Sequence, residues 1–406
     1  MKKPKAVKGG VCAAKGFRAA GVAAEIKYKG RKDVALIVAD APCAAAAVFT
    51  TNKVAAAPVL FDREVVKGGR VQAILANSGC ANACTGEDGL KDARVSALVT
   101  AGELGVDPRH VLVASTGVIG RRLPMDRLLD GMKKAKAALG STPAHALDAE
   151  RAVMTTDTRP KEAAFRTTIG GKTVTVGGMA KGSGMIEPNM ATMLGFVTTD
   201  AAISVPMLRR ALGLALNKSF NRVVVDGDES TNDSLFLLAS GAAGNAAITK
   251  AGADFDAFRE ALEAVCVSLA KQMATDGEGA TKFVTVTVRG AKSAKDAERA
   301  ARAVAKSPLA KTSWFGRDPN WGRVLAAVGY SGAEVVDLET EVFYDKVWAF
   351  RRGRIADERQ LAKLADVMKK DEFTVTVDLH LGEFEDTIYT CDISLDYVHI
   401  NADYTT

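Results

Sequence analysis

Apolar and polar positions along this chain sort into runs, alternations and stripes that set out its elements before any single residue is weighed. Two apolar runs stop abruptly in small polar residues. Val71-Gln72-Ala73-Ile74-Leu75-Ala76 passes into Asn77-Ser78-Gly79, and Val111-Leu112-Val113-Ala114 passes into Ser115-Thr116-Gly117. Short apolar runs of this kind predict buried strands, emptying into loops that can carry function. Gly170-Gly171, between 165–169 and 173–176, has the spacing of a tight hairpin turn. A helix is predicted where Phe255, Phe258, Leu262, Val265, Leu269 and Met273 recur at intervals of three and four behind Asp254 as a cap.

Val284, Val286 and Val288 then alternate with Thr285 and Thr287, so the loop 275–282 lies between a helix and a strand. The stretch 290–308 reads as an exposed helix ending before Pro308. From Phe373 to Leu381 apolar residues alternate with polar ones, predicting a strand with one wet face and His380 on its polar side. A domain change is placed near residue 290. The fold class implied is α/β in the mixed α+β sense, with much antiparallel pairing.

Composition narrows the class. The chain has 406 residues, 48% of them hydrophobic and 25% charged, which is ordinary for a globular protein able to bury a large core. Only 6% are aromatic while Ala and Gly abound, which predicts close backbone packing. The net charge of +6 owes much to Lys2, Lys3, Lys5, Lys8, Lys15 and Arg18, and no aromatic residues interleave with basic ones. Nucleic-acid binding is therefore not expected, whereas a site for small anions suits the balance. No run approaches the roughly 18 apolar residues of a membrane span. Lys15 and Arg18 interrupt the N-terminus before any signal-peptide core forms, so a cytoplasmic location is expected. Six scattered cysteines lack a C-x-x-C pair and read as buried free thiols; Cys80 and Cys84 could face each other on a helix turn.

Residues 181–200, KGSGMIEPNMATMLGFVTTD, hold the most informative chemistry. A glycine-rich polar stretch leads to one hydroxyl residue, Thr192, with an apolar strand-like run directly behind it. No Gly-x-Ser-x-Gly elbow is present, and no Ser-x-x-Lys stands in a context that would supply a conventional nucleophile. A threonine hydroxyl is a poor nucleophile without a base beside it. Cutting the chain before Thr192 would free its α-amine, whose pKa of about 7.7–8.0 suits a general base. By itself a threonine here reads first as a β-branched strand residue, and the flanking Gly182, Gly184 and Pro188-Asn189 make the nucleophile reading suggestive.

Thr116 and Gly117 could aim a hydroxyl and a backbone N–H at a developing oxyanion; alone, they are better explained by an ordinary turn. Glu278 stands between two glycines, either as a surface carboxylate or as a receptor for a cationic substrate. Lys181 is similarly open. The run Asp226–Asp233 resembles a calcium loop, but Thr231 and Leu237 occupy the positions that need Gly and Glu, so no metal is expected. The C-terminal 397–406, YVHINADYTT, keeps a structured character and is expected to be tied into the fold.

Taken together, 49-FTTN-52, 77-NSGCANACTG-86, 115-STGVIG-120, 154-MTTDT-158, 181-KGSGMIEPNMATMLGF-196, 226-DGDESTNDS-234, 275-TDGEGATK-282, 315-FGRDPNWGR-323 and 401-NADYTT-406 resemble the ornithine acetyltransferase (glutamate N-acetyltransferase) family over nearly the whole length. Cys80 and Glu229 depart from its usual pattern.

The resemblance implies self-cleavage between Ala191 and Thr192. The α chain would be 1–191. The β chain would comprise 192–290, completing the main domain, and 291–406, a smaller C-terminal α/β domain whose terminus returns to the site. It also implies N-terminal-nucleophile-like layers of sheets and helices. Thr192 would take acetyl from N-acetylornithine and pass it to glutamate, with Thr116 and Gly117 as oxyanion hole. Thr155, Lys181, Glu278, Asn401 and Thr406 would contact substrate, Lys181 a carboxylate and Glu278 an ammonium; Thr156 competes with Thr155 for its role. No cofactor or metal is implied, acetyl-CoA is a candidate second donor, and two α with two β chains form the expected assembly. The alternatives are an aminopeptidase or amidase on the same self-cleaving scaffold, and a non-enzymatic ligand-binding protein.

Overall fold

The structure, a computed structural model, describes residues 3–187 and 193–403. Two mixed sheets and eleven α-helices form among the described residues. The chain separates into two compact units. Of the described residues, the first holds those up to Asn221 with Asp228–Met273, and the second holds Arg222–Gly227 with those from Ala274 on.

A nine-stranded sheet forms the first unit. Its order is Lys5–Val7, Glu162–Ile169, Lys172–Lys181, Leu194–Thr199, Ser234–Ala239, Val34–Phe49, Arg70–Asn77 and Val111–Ser115, with Phe17–Val22 paired onto Val34–Phe49. Most neighbours are antiparallel, as the patterning predicts, but two pairs are parallel: Leu194–Thr199 with Ser234–Ala239, and Arg70–Asn77 with Val111–Ser115.

Successive side chains of a strand point to opposite faces, and this sheet is buried on both. Ala35, Ile37, Ile74, Ala76, Leu112 and Ala114 pack into one core with the helix Pro143–Val153. Val34, Leu36, Ala73, Leu75, Val111 and Val113 pack into the other, against the helices Gly86–Leu104 and Met125–Ala137. Those helices present Ala93, Ala97, Ala101 and Ala135, so small side chains let backbones approach closely, as the composition implies.

The second unit is a seven-stranded sheet in the order Arg354–Ile355, Val347–Arg351, Glu341–Tyr344, Glu372–Asp378, Phe283–Ala291, Phe384–Cys391 and Val223–Val224. Its longer stretch begins at Ala274, ahead of the change placed near residue 290, because Phe283–Ala291 is hydrogen-bonded between two of its strands.

Several local expectations hold. Gly170-Gly171 joins two antiparallel strands with Ile169 opposite Lys172. The helix Ala253–Thr275 buries Phe255, Phe258, Leu262, Val265, Leu269 and Met273.

Three need correction. The helix in 290–308 runs Ala294–Lys306, capped by Ser293 Oγ accepting the Asp296 N–H at 3.1 Å, and it is not exposed throughout. Ala297, Ala300, Ala301, Val304 and Ala305 are fully buried, a stripe hidden in the sequence because alanine carries so little apolar signal. The strand at 373 ends at Asp378; His380 turns at φ 54° between Asp378 and Glu341 rather than lying on a strand face. Cys80 and Cys84 precede the helix Gly86–Leu104 and do not share a helix turn, and Cys84 is exposed rather than buried.

Candidate active site

Parallel pairing sets Asn77 opposite Ser115, so the loops after Arg70–Asn77 and Val111–Ser115 leave the sheet at the same end. There they are stitched together. Thr116 N–H donates to the Asn77 carbonyl at 3.0 Å, Ser115 Oγ donates to Asn77 Oδ1 at 2.7 Å, and Asn77 Nδ2 donates to the Cys80 carbonyl at 2.9 Å. Asn232 closes the arrangement: its Nδ2 donates to the Ser115 carbonyl at 2.8 Å and the Ala81 carbonyl at 2.6 Å. The turn at Thr116-Gly117 is therefore held by buried polar groups on both sides.

Gly117 has φ +126°, and a Cβ there would lie 2.5 Å from the Gly79 carbonyl carbon and 2.7 Å from the Cys80 nitrogen. Only glycine fits that approach. Burial pushes the Cys80 thiol up, so this cysteine is a poor nucleophile where it stands.

Lys181 ends the strand Lys172–Lys181, is 5% exposed, and reaches this turn: its Nζ donates to Thr116 Oγ1 at 3.2 Å. A hydroxyl whose oxygen accepts from an ammonium still has its own proton to give, so Thr116 can donate to a developing negative charge. Beneath Lys181 lies Asp157, also buried. Its Oδ1 accepts from Lys161 Nζ at 2.6 Å and from the Gly182 N–H at 2.7 Å, and its Oδ2 accepts from the Thr155 N–H at 3.0 Å. Burial acts to raise the Asp157 carboxyl, but the ammonium groups of Lys161 and Lys181 outweigh it and hold it well below the usual carboxylate range. Arg31 Nη2 supports the same segment, donating to the Thr155 carbonyl at 2.7 Å. Thr155 and Thr156 are both partly buried.

Ala191 and Thr192 lie outside the described residues, as does Thr406. The described residues on either side of 188–192 are anchored. Glu187 N–H donates to the Asp228 carbonyl at 2.9 Å. On the other side, Met193 N–H donates to Asp233 Oδ1 at 2.7 Å, and the Ser234 N–H donates to the Met193 carbonyl at 3.0 Å. The polar loop 226–234, considered above for calcium, thus grips the chain both before and after 188–192.

In the second unit, Glu278 and Asn401 come together. Asn401 Nδ2 donates to Glu278 Oε2 at 2.9 Å, and Glu278 is 7% exposed. Gly279 makes this possible: at φ +66° a Cβ would meet the Tyr397 nitrogen at 2.5 Å, so the loop lies directly on the helix Leu395–Asp403. Ser394 Oγ donates to the Gly279 carbonyl at 2.6 Å and fixes the contact.

Sequence reasoning brought forward Thr116, Gly117, Thr155 and Lys181, which the fold gathers in one region of the first unit, and Glu278 with Asn401, paired in the second. It missed Asn77, Ser115, Asn232, Asp233 and Asp157 as individuals. All five stand inside quoted motifs, and for Asn77 and Ser115 a polar residue at the end of a buried strand was the available signal.

A match to the ArgJ family runs over residues 18–406. The arginine biosynthesis bifunctional protein ArgJ of Symbiobacterium thermophilum is 53% identical over 401 residues, covering 98% of this chain and 99% of that protein. The glutamate N-acetyltransferase of Methanocaldococcus jannaschii is 46% identical over 411 residues, covering 98% and 99%. Among solved structures, the ornithine acetyltransferase of Mycobacterium tuberculosis complexed with ornithine is 41% identical, covers 46% of this chain and 98% of its own, and superposes with a TM-score of 0.43. A buried lysine beside a hydroxyl-bearing turn on a mixed α/β frame suits group transfer, and with the Symbiobacterium and Methanocaldococcus relatives and the family match the protein is an acyltransferase. More narrowly, the chain belongs to the ArgJ family.

Proposed function

We propose that this protein transfers acetyl from N-acetylornithine to glutamate through an acetyl-threonine ester. The observation that carries the proposal is the 3.2 Å contact between Lys181 Nζ and Thr116 Oγ1. In both amino acids the carboxylate is attached to the carbon that bears the acylated nitrogen. A carboxylate receptor and an oxyanion donor must then stand within a few ångströms of each other, and this pair does.

In the proposed sequence the chain is cut between Ala191 and Thr192, giving an α chain 1–191 and a β chain 192–406. The freed α-amine of Thr192 takes the proton from Oγ as Oγ attacks the acetyl carbonyl. Thr116 Oγ1–H and Gly117 N–H stabilise the oxyanion. The amide C–N bond breaks, the proton passes to the leaving nitrogen, and ornithine departs. Glutamate's α-amine then attacks the ester; the C–O bond breaks and the proton returns to Thr192 Oγ. Lys181 holds the carboxylate, and Thr155 lines the same region. Glu278, with Asn401 and Thr406, is assigned to the ornithine ammonium. This chemistry needs no metal or prosthetic group.

The bifunctional name of the Symbiobacterium relative extends the proposal to acetyl-CoA as a second donor, tested by incubating acetyl-CoA with glutamate. Two α with two β chains in the cytoplasm complete the reading. Among the described residues, no helix is long and apolar enough to cross a membrane.

Incubation of the purified protein with N-acetylornithine and glutamate tests the main reaction. Matched release of ornithine and acetylglutamate supports it. Release of free acetate in place of acetylglutamate would identify the amidase alternative.

A further inference from the structure

We infer that Asp157 is a positioning residue for substrate binding, a group that holds the two substrate-facing segments of the first unit in register. This inference rests on the function proposed above. Asp157 touches neither Thr116 nor Gly117 in any contact described, yet three donors converge on its carboxylate: the Thr155 N–H, the Gly182 N–H and Lys161 Nζ. Two of these belong to residues at or next to the proposed substrate contacts Thr155 and Lys181. They come from separate parts of the chain, the loop after the helix Pro143–Val153 and the end of the strand Lys172–Lys181.

The side chains of Asp157 and Lys161 are both fully buried. A charge taken out of water is tolerated when it is paired and its lone pairs are filled, and here both conditions are met. Lys161 is itself fixed, since its backbone N–H donates to Glu150 Oε1 at 3.1 Å. Lys161 thus ties Asp157 to the frame. A carboxylate that only filled space would not need backbone donors from two segments.

The consequence is specific. Loosening Asp157 shifts Thr155 and Lys181 relative to each other and weakens the grip on the carboxylate shared by both substrates. The Thr116-Gly117 turn, held independently by Asn77 and Asn232, keeps its place.

The test is steady-state kinetics of Asp157→Asn and Asp157→Glu on the full, processed protein, with active sites counted by the acetyl-enzyme burst. Asp157→Asn is expected to raise KM for N-acetylornithine and for glutamate by about tenfold or more, with a smaller fall in kcat; Asp157→Glu, which keeps the charge, is expected to recover part of the loss. KM values within twofold of wild type in both variants overturn the inference, as does a fall in kcat at unchanged KM. If Asp157→Asn does not fold, Asp157→Glu decides: raised KM supports the role and unchanged KM overturns it. Should the wild-type protein fail to transfer acetyl at all, the proposed function falls instead, so the two failures are distinguishable.

Discussion

Replacing Gly117 with alanine perturbs the oxyanion turn at one atom, and the size of the effect follows from the geometry. The added Cβ would lie 2.5 Å from the Gly79 carbonyl carbon, where ordinary contact begins at 3.4 Å, so the turn must open by about 0.9 Å. Neither the Gly79 nor the Cys80 backbone can yield easily, since Cys80 is held by its carbonyl on Asn77 Nδ2 and by bridges to Thr116 and Val118. The φ of +126° adds strain of about 1–3 kcal/mol for a residue with a side chain. A donor moved by about 1 Å from its productive place costs about 10²-fold in rate, comparable to deleting one oxyanion donor. Gly117→Ala is therefore expected to lower kcat about 10²-fold, with KM for N-acetylornithine changed far less because Lys181 and Thr155 are untouched. The assay is acetylglutamate formation per processed active site at saturating substrate. A kcat within threefold of wild type would refute the placement of the oxyanion hole at this turn.

Two further predictions follow from groups the structure brought to light. Asn232→Ala leaves the Ser115 and Ala81 carbonyls without their donor, at a cost of about 1–3 kcal/mol for each buried group; a lower denaturant midpoint together with reduced kcat is expected, and an unchanged midpoint would contradict it. Asp62 is fully buried, its Oδ1 accepting the Val113 N–H at 3.0 Å, and burial pushes its carboxyl well above the usual range despite that hydrogen bond. The unfolded chain releases this proton at ordinary aspartate pH while the folded chain keeps it, so the group removes stability as pH rises through that window. Asp62→Asn is expected to gain on wild type across the same window in thermal unfolding at stepped pH; parallel curves would refute it.

How far the sequence reached can be read from particular residues. Strands such as Val111–Ser115 were legible because four apolar residues in a row end in Ser-Thr-Gly, and the parallel register that sets Ser115 opposite Asn77 then brings both loops to one place. Register itself was not legible, since local patterning says nothing about which strand pairs with which. The buried face of Ala294–Lys306 was hidden because its alanines look neutral beside six charged residues. His380 was misplaced because the alternation outlasts the strand, and its turn is set by Asp378 and Glu341 rather than by neighbours in sequence. Asp157 escaped notice for the opposite reason: an aspartate between threonines reads as a surface loop, and only the fold reveals two lysines in its electrostatic reach. The nucleophile rests on the motif around Thr192, and the structure adds the anchors on either side of it, Glu187 on Asp228 and Met193 on Asp233.

The central claim is that Thr192 carries the acetyl group, and peptide mass spectrometry tests it most directly. After incubation with N-acetylornithine alone, two chains meeting at Ala191 and Thr192 are expected, with one acetyl group on Thr192 Oγ that disappears when glutamate is added. An uncut chain that still transfers acetyl, or an acetyl group carried on any other side chain, would contradict it.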